Sequence, residues 1–172
     1  VRSMSKKDKV KTNVMRLLDQ AKIDYESREY DYSEEDLSGT HAADTLGFPY
    51  RMVYKTLVLR GDKKGYFVCC IPVDREIDLK KAAKVSGNKK AEMLHVKELL
   101  PLTGYIRGGC SPIGMKKQFP TFLEELAAGE SRISISAGQR GVQVLLSPED
   151  LRKYTGAQYC SLILEKGEET EA

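Results

Sequence analysis

The glycine-rich segment Gly108-Gly109-Cys110-Ser111-Pro112-Ile113-Gly114 has the composition of a loop that binds a ligand through its backbone. Glycine has no Cβ, so neighbouring amide N–H groups stay uncovered, whereas Pro112 fixes its own φ and restricts Ser111 to extended geometry. Amides presented in this way can stabilise an oxyanion during ester cleavage. The alternative is a tight loop that only lets a helix and a strand pack closely, but the length and glycine density favour ligand binding.

A second candidate for chemistry is Lys55, which lies in an apolar run at 53–59. Strand alternation places Lys55 on the same face as Val53, Leu57 and Leu59, and a lysine on a buried face is uncommon unless it is paired or functional. A desolvated lysine can hold a phosphate or carboxyl oxygen, or it can polarise a carbonyl. The alternative is a lysine at a sheet edge whose ammonium reaches solvent.

The cysteines do not form a recognisable nucleophilic or metal-binding set. Cys110 lies in the glycine-rich segment, but His41 and His95 lie on other segments, and a lone cysteine is more often a small packed side chain. The 4 cysteines lack metal-ligand spacing, so we predict no metal, no other cofactor and no disulfide framework. Because no apolar run reaches the length of a membrane span and no signal segment is recognisable, we expect a cytoplasmic protein without a membrane partner.

Charge is distributed unevenly, although the net charge is only +3. Residues 51–117 hold 15 Lys and Arg against 6 Asp and Glu, whereas residues 24–44 hold 8 acidic residues against one arginine. The middle of the chain is therefore a candidate surface for a long nucleic acid, which would be contacted through its phosphates. The candidate residues are Lys80, Lys81, Lys84, Lys89, Lys90, Lys116 and Lys117. On charge alone, an ordinary solvated lysine face is the alternative.

The apolar spacing predicts an α+β fold around a mixed, mostly antiparallel sheet. Helices are expected at 12–22, 40–46, 78–86, 96–100, 119–128 and from 147, with Thr12 or Asn13, Asp78 and Ser147 as caps. Strands are expected at 25–32, 52–60, 65–73, 104–106, 132–136, 142–146 and 159–163, with a hairpin turn at 61–64. With 172 residues, 41% of them hydrophobic, the chain has the size of one domain with a single core.

Three segments together carry a family resemblance: Tyr54-Lys55-Thr56-Leu57, the glycine-rich segment, and Ser136-Ala137-Gly138-Gln139-Arg140-Gly141. In this order and at this spacing they resemble the YbaK/EbsC family of aminoacyl-tRNA deacylases, relatives of the editing domain of bacterial prolyl-tRNA synthetase. The resemblance extends from Lys11 to Ile163. It implies one editing domain at 11–164 with a barrel-like sheet flanked by helices, and we expect flexible termini at 1–10 and 165–172.

The resemblance also implies which residues form the site. Gly108, Gly109, Ser111, Pro112 and Gly114 match the family pattern Gly-Gly-x-Ser-Pro-x-Gly, in which Cys110 fills the variable position. The implied catalytic groups are Lys55 and the amides of Gly108 and Gly109. The implied substrate-binding residues are Tyr30, Thr56, Ser111, Pro112, Gly114, Ser136, Gly138, Gly141 and Gln143. Gln143 stands where several family members have an acid, and no pocket residue is assigned at 34–39.

The implied activity is removal of cysteine from mischarged tRNA(Pro), and also from tRNA(Cys), with the substrate thiol attacking its own ester. The implied partners are the aminoacylated 3′ end of tRNA(Pro) and prolyl-tRNA synthetase. Because Gln143 lacks a charge, hydrolysis of alanyl-tRNA(Pro) stays open as an alternative. Two further alternatives are a non-catalytic module that binds tRNA or a synthetase, and a glycine loop that holds a nucleotide or a phosphorylated metabolite.

Overall fold

The computed structural model describes residues 10–166, which form helices and strands in mixed order. The helices are α1 (Asn13–Gln20), α2 (Gly39–Leu46), α3 (Leu79–Val85), α4 (Val96–Thr103) and α5 (Pro148–Thr155). The strands are β1 (Tyr25–Glu29), β2 (Tyr54–Gly61), β3 (Gly65–Pro72), β4 (Ala91–Met93), β5 (Thr121–Glu124), β6 (Ile133–Ser136), β7 (Val142–Leu146) and β8 (Gln158–Cys160). The flexible termini expected at 1–10 and 165–172 lie mostly outside the described residues.

The strands form two sheets. The first has the order β1-β7-β6 and is antiparallel throughout. The second has the order β4-β2-β3-β5-β8, with antiparallel pairs at β4-β2 and β2-β3 and parallel pairs at β3-β5 and β5-β8. A single parallel bridge from Val53 to Ser134 joins the two sheets. The predicted mixed, mostly antiparallel α+β fold is confirmed, and the curved arrangement is not a closed barrel.

The core occupies both faces of the five-stranded sheet. On one face, Val58, Val68 and Cys70 pack against Ile135 and Val144 of the other sheet and against Leu18 of α1. On the opposite face, Leu59, Phe67, Cys69 and Ile71 pack under Ala82 of α3 and under Leu162. Because successive side chains of a strand point to opposite faces, the unbroken apolar run of β3 is what a central strand with two covered faces requires.

The helix caps follow from short polar side chains. Thr12 Oγ1 accepts a hydrogen bond from the Met15 amide at 3.3 Å, Asp78 Oδ1 accepts one from Lys80 at 2.9 Å, and Ser147 Oγ accepts one from Asp150 at 3.3 Å. Each bond satisfies an amide that has no partner within its helix. The predicted caps Thr12, Asp78 and Ser147 are therefore confirmed. Within residues 10–166, no helix is long and apolar enough to span a membrane.

Two predicted elements are wrong. The helix expected at 119–128 is strand β5 followed by a short 3₁₀ helix, Glu125–Gly129. Phe122 packs edge-on against Phe67 with ring centroids 6.0 Å apart, while Leu123 packs into the core on the opposite face of the sheet. Pairing with β3 and β8 therefore outweighs the local preference of this segment for a helix. The strand expected at 104–106 is absent from the described chain, since Gly104 ends α4 at a φ of 87°. Strand β4, with three residues, was too short to predict.

Candidate active site

A cleft of 290 Å³ lies where the start of β2 meets the three-stranded sheet, the N-terminus of α2 and the glycine-rich loop. Its walls come from segments that are far apart in sequence. The bridge between Val53 and Ser134 holds the two sheets together beside the cleft. The lining residues are Tyr30, Leu37, Ser38, Gly39, Ala42, Val53, Tyr54, Lys55, Thr56, Leu57, Val73, Arg107, Gly108, Cys110, Ser136 and Gln143.

The cleft brings together six residues singled out from the sequence: Tyr30, Lys55, Thr56, Gly108, Ser136 and Gln143. Lys55 and Thr56 are consecutive near the start of β2, opposite Ile71 and Cys70 of β3. Ser136 and Gln143 face each other as partners across the pair of β6 and β7. Residues that carry a cation, hydroxyl groups and an amide therefore line one cavity, a composition typical of sites that bind a polar ligand.

The other six singled-out residues lie outside the cleft lining: Gly109, Ser111, Pro112, Gly114, Gly138 and Gly141. Ser111 is fully buried, and its Oγ accepts the amide of Ile113 at 3.3 Å. A Cβ at Gly109 would lie 3.0 Å from Gln139 Cα and 3.1 Å from the Arg140 nitrogen. At Gly109 the glycine-rich loop therefore packs backbone to backbone against the turn between β6 and β7.

The loop amides differ in their availability. The Gly109 amide donates to the Ile106 carbonyl at 2.9 Å, so this donor is used in the turn. Within residues 10–166, the amides of Gly108 and Cys110 donate to no acceptor, and both residues line the cleft. Gly108 has a φ of 87°, a conformation that only glycine adopts readily. Gly108 and Cys110 are thus the loop positions whose amides can serve a ligand.

Gln143 lies on the floor of the cleft and is almost fully buried. Its Oε1 accepts a hydrogen bond from Ser134 Oγ at 2.8 Å, so its amide nitrogen is the end of the side chain that remains for Tyr30 and for a ligand. Burial raises the pKa of the Tyr30 phenol, although hydrogen bonds from the Gly141 backbone and the Gln143 side chain oppose that shift. The floor therefore presents neutral hydrogen-bonding groups where an acidic residue would present a charge.

The Cys110 thiol has the properties of a packed side chain. Burial raises the pKa of this thiol to about 12, and the nearby Cys70 adds to the shift. His95 lines a side cavity together with Cys110, but a thiol with so high a pKa holds almost no thiolate at neutral pH. Among residues 10–166, no three His, Cys, Asp or Glu side chains are placed to hold a metal ion.

Sequence reasoning missed two parts of the site. The N-terminus of α2 lines the cleft through Leu37, Ser38, Gly39 and Ala42, in the stretch to which no pocket residue was assigned. Ser38 Oγ accepts the amide of His41 at 3.2 Å, and this capping pattern was the available signal. Arg107 also lines the cleft. The Arg107 carbonyl accepts a hydrogen bond from Arg140 Nε at 2.8 Å. The position of Arg107 directly before Gly108 was the available signal that it lines the cleft.

A side cavity of 220 Å³ adjoins the cleft along β2. The two cavities share Thr56, Leu57, Arg107, Gly108 and Cys110. The rest of the side cavity is largely apolar and is lined by Val58, Met93, Leu94, His95, Val96 and Leu99. A ligand that fills the cleft can therefore continue along β2 toward β4.

Comparisons with known proteins show the family of this chain. The family model for the aminoacyl-tRNA editing domain matches residues 37–154. The chain is 52% identical over 157 residues to a protein of Enterococcus faecalis provisionally named Cys-tRNA(Pro)/Cys-tRNA(Cys) deacylase EbsC, covering 91% of this chain and 96% of that one. It is also 29% identical over 85 residues to the proline–tRNA ligase of Fervidobacterium nodosum, covering 49% of this chain and 15% of the ligase.

A solved structure of a related protein has the same fold. A protein provisionally described as a trans-editing enzyme for prolyl-tRNA synthetase superposes with a TM-score of 0.72 at 25% identity, covering 82% of this chain and 87% of that chain. The matched family segment includes the start of β2, the glycine-rich loop and the β6–β7 pair, which together form the cleft. The chain belongs to the aminoacyl-tRNA editing domain family.

Proposed function

We propose that this protein hydrolyses the ester of cysteinyl-tRNA(Pro), and also that of cysteinyl-tRNA(Cys), as a free-standing editing enzyme. The observation that carries the proposal is that Lys55, Thr56 and Gly108 line the same small cleft. The relative that is named for this deacylation matches nearly the whole chain, which supports the choice of substrate. A cavity of 290 Å³ suits an aminoacyl group and part of a ribose rather than a larger ligand.

In this proposal Lys55 and the amides of Gly108 and Cys110 hold the ester and stabilise its oxyanion. A cation and backbone donors fixed before the reaction stabilise charge that develops on the carbonyl oxygen. Thr56 and Ser136 orient the aminoacyl group, while the Gln143 amide and the Tyr30 phenol hydrogen-bond to its polar atoms. The residues that position the walls of the cleft are Gly109, Ser111, Pro112, Gly114, Gly138 and Gly141. Each of these roles is open to test by substitution.

The nucleophile in this proposal belongs to the substrate. The cysteinyl sulfur attacks its own ester carbonyl, the new C–S bond replaces the C–O bond, and the ribose hydroxyl leaves with the thiol proton. Water then opens the resulting thiolactone to free cysteine. The enzyme contributes positioning and electrostatic stabilisation, in keeping with the high pKa that burial gives the Cys110 thiol.

The test is release of free amino acid from cysteinyl-tRNA(Pro), cysteinyl-tRNA(Cys) and alanyl-tRNA(Pro), measured side by side. We expect release from the cysteinyl esters, and we expect Lys55→Ala to lower kcat/KM by about 100-fold or more, the usual cost of losing one oxyanion donor. Lys153→Ala, at an exposed position of α5, is the matched control and should leave the rate unchanged. An unaffected rate in Lys55→Ala would contradict the assigned role of Lys55.

A second candidate is hydrolysis of alanyl-tRNA(Pro), which the uncharged floor at Gln143 favours. Without a substrate thiol this reaction needs a water nucleophile, so the two activities separate cleanly in the same assay. Release of alanine without release of cysteine would replace the first proposal. Salt-sensitive tRNA binding without cleavage of any ester would indicate a binding module instead.

A further inference from the structure

The turn between β2 and β3 is held by a side chain from another loop. Asn88, in the segment between α3 and β4, accepts the amides of Lys63 at 3.0 Å and Lys64 at 2.7 Å through its Oδ1. Asn88 is itself buried, and it packs so close to Gly61 that a Cβ there would lie 2.1 Å from its Nδ2. The hairpin turn is therefore fixed from outside as well as by its own strands.

The reverse contact fixes the second loop. Asp62, in the hairpin turn, accepts the amides of Lys89 at 3.0 Å and Lys90 at 3.2 Å through its Oδ1, and the Asp62 amide donates to the Lys90 carbonyl at 3.1 Å. Each loop thus supplies the side chain that holds the backbone of the other. This reciprocal lock brings two pairs of consecutive lysines to one corner of the five-stranded sheet.

The side chains of this lysine corner, which consists of Lys63, Lys64, Lys89 and Lys90, are all exposed. Within residues 10–166, none of the four forms an ion pair. The nearby carboxylates are engaged elsewhere, since Asp62 accepts backbone amides and Glu92 pairs with Arg60 at 2.7 Å. The four positive charges on this rigid backbone are offset only in part by the carboxylate of Asp62, whose pKa is lowered by the Lys90 and Lys89 amides and by the charge of Lys63, so the corner keeps a net positive charge that suits a polyanion.

Strand β2 connects the lysine corner to the cleft. Lys55 is the second residue of β2 and Gly61 is the last, so the two are separated by about 20 Å at the rise of an antiparallel strand. The side cavity lies between them, and β4 runs beside β2 with Met93 opposite Leu59. Met93 and Val96, which line the side cavity, expose 40% and 63% of their surfaces. One continuous track therefore leads from the cleft across an apolar surface to the four lysines.

We propose that the lysine corner binds the phosphate backbone of the tRNA acceptor arm, several nucleotides before the ester. The inference rests on the proposed function, because it takes the cleft as the place of the aminoacylated 3′ end. At about 3.4 Å per phosphate along a stacked strand, 20 Å corresponds to about six nucleotides. The intervening nucleotides lie over the largely apolar side cavity. The contact carries affinity without base recognition.

The test compares lysine variants on a long and a short substrate. The variants are Lys63→Gln with Lys64→Gln, Lys89→Gln with Lys90→Gln, and all four together. Lys22→Gln with Lys153→Gln, at exposed positions outside both cavities, is the control matched in charge to each double variant, and each double variant should show about half of the effect of the quadruple variant on the salt dependence. With cysteinyl-tRNA(Pro), the quadruple variant should have a KM that is higher by about 10-fold or more, with little change in kcat. The slope of log(kcat/KM) against log salt concentration should become shallower by about 3. With cysteinyl-adenosine, which is too short to reach the corner, the rate of the quadruple variant should equal that of the unmodified protein.

The outcomes separate this inference from the proposed function. If the unmodified protein deacylates cysteinyl-tRNA(Pro) and the quadruple variant has the same KM and salt slope, the lysine corner does not contact tRNA. If no ester is cleaved at all, the proposed function fails, and the lysine corner is then tested by fluorescence anisotropy with uncharged tRNA. Equal affinities of the unmodified protein and the quadruple variant for that tRNA overturn the inference. Loss of the salt-dependent binding in the quadruple variant supports it. A KM effect that appears only when prolyl-tRNA synthetase is added would assign the corner to a protein partner instead. Urea denaturation of each variant confirms that it is folded.

Discussion

The hydroxyl of Ser134 donates to Oε1 of Gln143 at 2.8 Å, from one strand of the β6–β7 pair to the other. Ser134 is completely buried, so this bond fixes which end of the Gln143 amide faces the cleft. The orientation matters because an amide nitrogen donates hydrogen bonds, whereas the carboxylate of an acidic residue accepts them. Ser134 is therefore a positioning residue for the floor of the cleft.

Replacing Ser134 with alanine should lower the stability of the protein. The substitution leaves the buried Gln143 Oε1 without its donor, which costs about 1–3 kcal/mol in the free energy of unfolding. In a Gln143→Ala background the same substitution should cost clearly less, because the acceptor is already gone. Urea denaturation of the two single variants and the double variant measures this coupling, and purely additive effects would contradict it. Ser27→Ala, at an exposed position of β1, is the control.

Replacing Gly109 with alanine should destabilise the protein and slow catalysis. The new Cβ would meet the backbone of Gln139 and Arg140 at 3.0–3.1 Å, and backbone atoms in a hairpin cannot move aside as a flexible side chain can. We expect a loss of about 1–3 kcal/mol in the free energy of unfolding, as for other overpacked sites. Gly129→Ala, where a Cβ meets nothing within 4 Å, should be neutral or slightly stabilising. Equal midpoints of thermal unfolding for the two variants would refute the close-packing argument.

Replacing Cys110 with alanine should leave deacylation within about three-fold of the original rate, because a protonated thiol is a poor nucleophile. Since burial raises the pKa of this thiol to about 12, its alkylation by iodoacetamide should be very slow at pH 7–9 and should accelerate only as the pH approaches 12. Peptide mapping by mass spectrometry measures the modification at Cys110 across that range. Rapid alkylation at pH 7 together with loss of activity would point to a catalytic thiolate.

Replacing Glu124 with glutamine should destabilise the junction of β5 with the C-terminal segment. Glu124 is buried, and its two carboxylate oxygens accept the amides of Leu126 and Leu162, each at 2.9 Å. Glutamine keeps one oxygen but presents its own N–H group to the second amide, which leaves a buried donor unsatisfied at a cost of about 1–3 kcal/mol. The neighbouring Glu125 is exposed, so Glu125→Gln should have little effect. Urea denaturation of both variants provides the comparison.

How far the sequence predicts this molecule depends on whether a signal is local. Thr12, Asp78 and Ser147 cap helices through bonds to residues two or three positions away, and such contacts can be derived from a short window. Strand β5 could not be derived in this way, because Phe122 and Leu123 are strand residues only when β3 and β8 lie on either side of them.

The same distinction applies to the candidate site. Lys55 and Gly108 were found because their segments are unusual for their residue types, Thr56 was found through the family resemblance, and all three line one cleft. The N-terminus of α2 was missed because Ser38, Gly39 and Ala42 are ordinary for a helix start and become part of the site only through tertiary packing. Conversely, Ser111 matched the family pattern, yet its hydroxyl is bonded within its own loop.

The backbone-to-backbone contact between Gly109 and the turn at Gln139 and Arg140 affects how this site can diverge. Where two main chains touch with no side chain between them, exchanges elsewhere on either loop leave their separation unchanged. The opening of the cleft is therefore insensitive to most substitutions in either loop, whereas the floor depends on the single side chain of Gln143 and its bond to Ser134. If the cleft has the proposed function, a change at this one buried side chain alters which amino acid is removed, while the framework around the cleft stays the same.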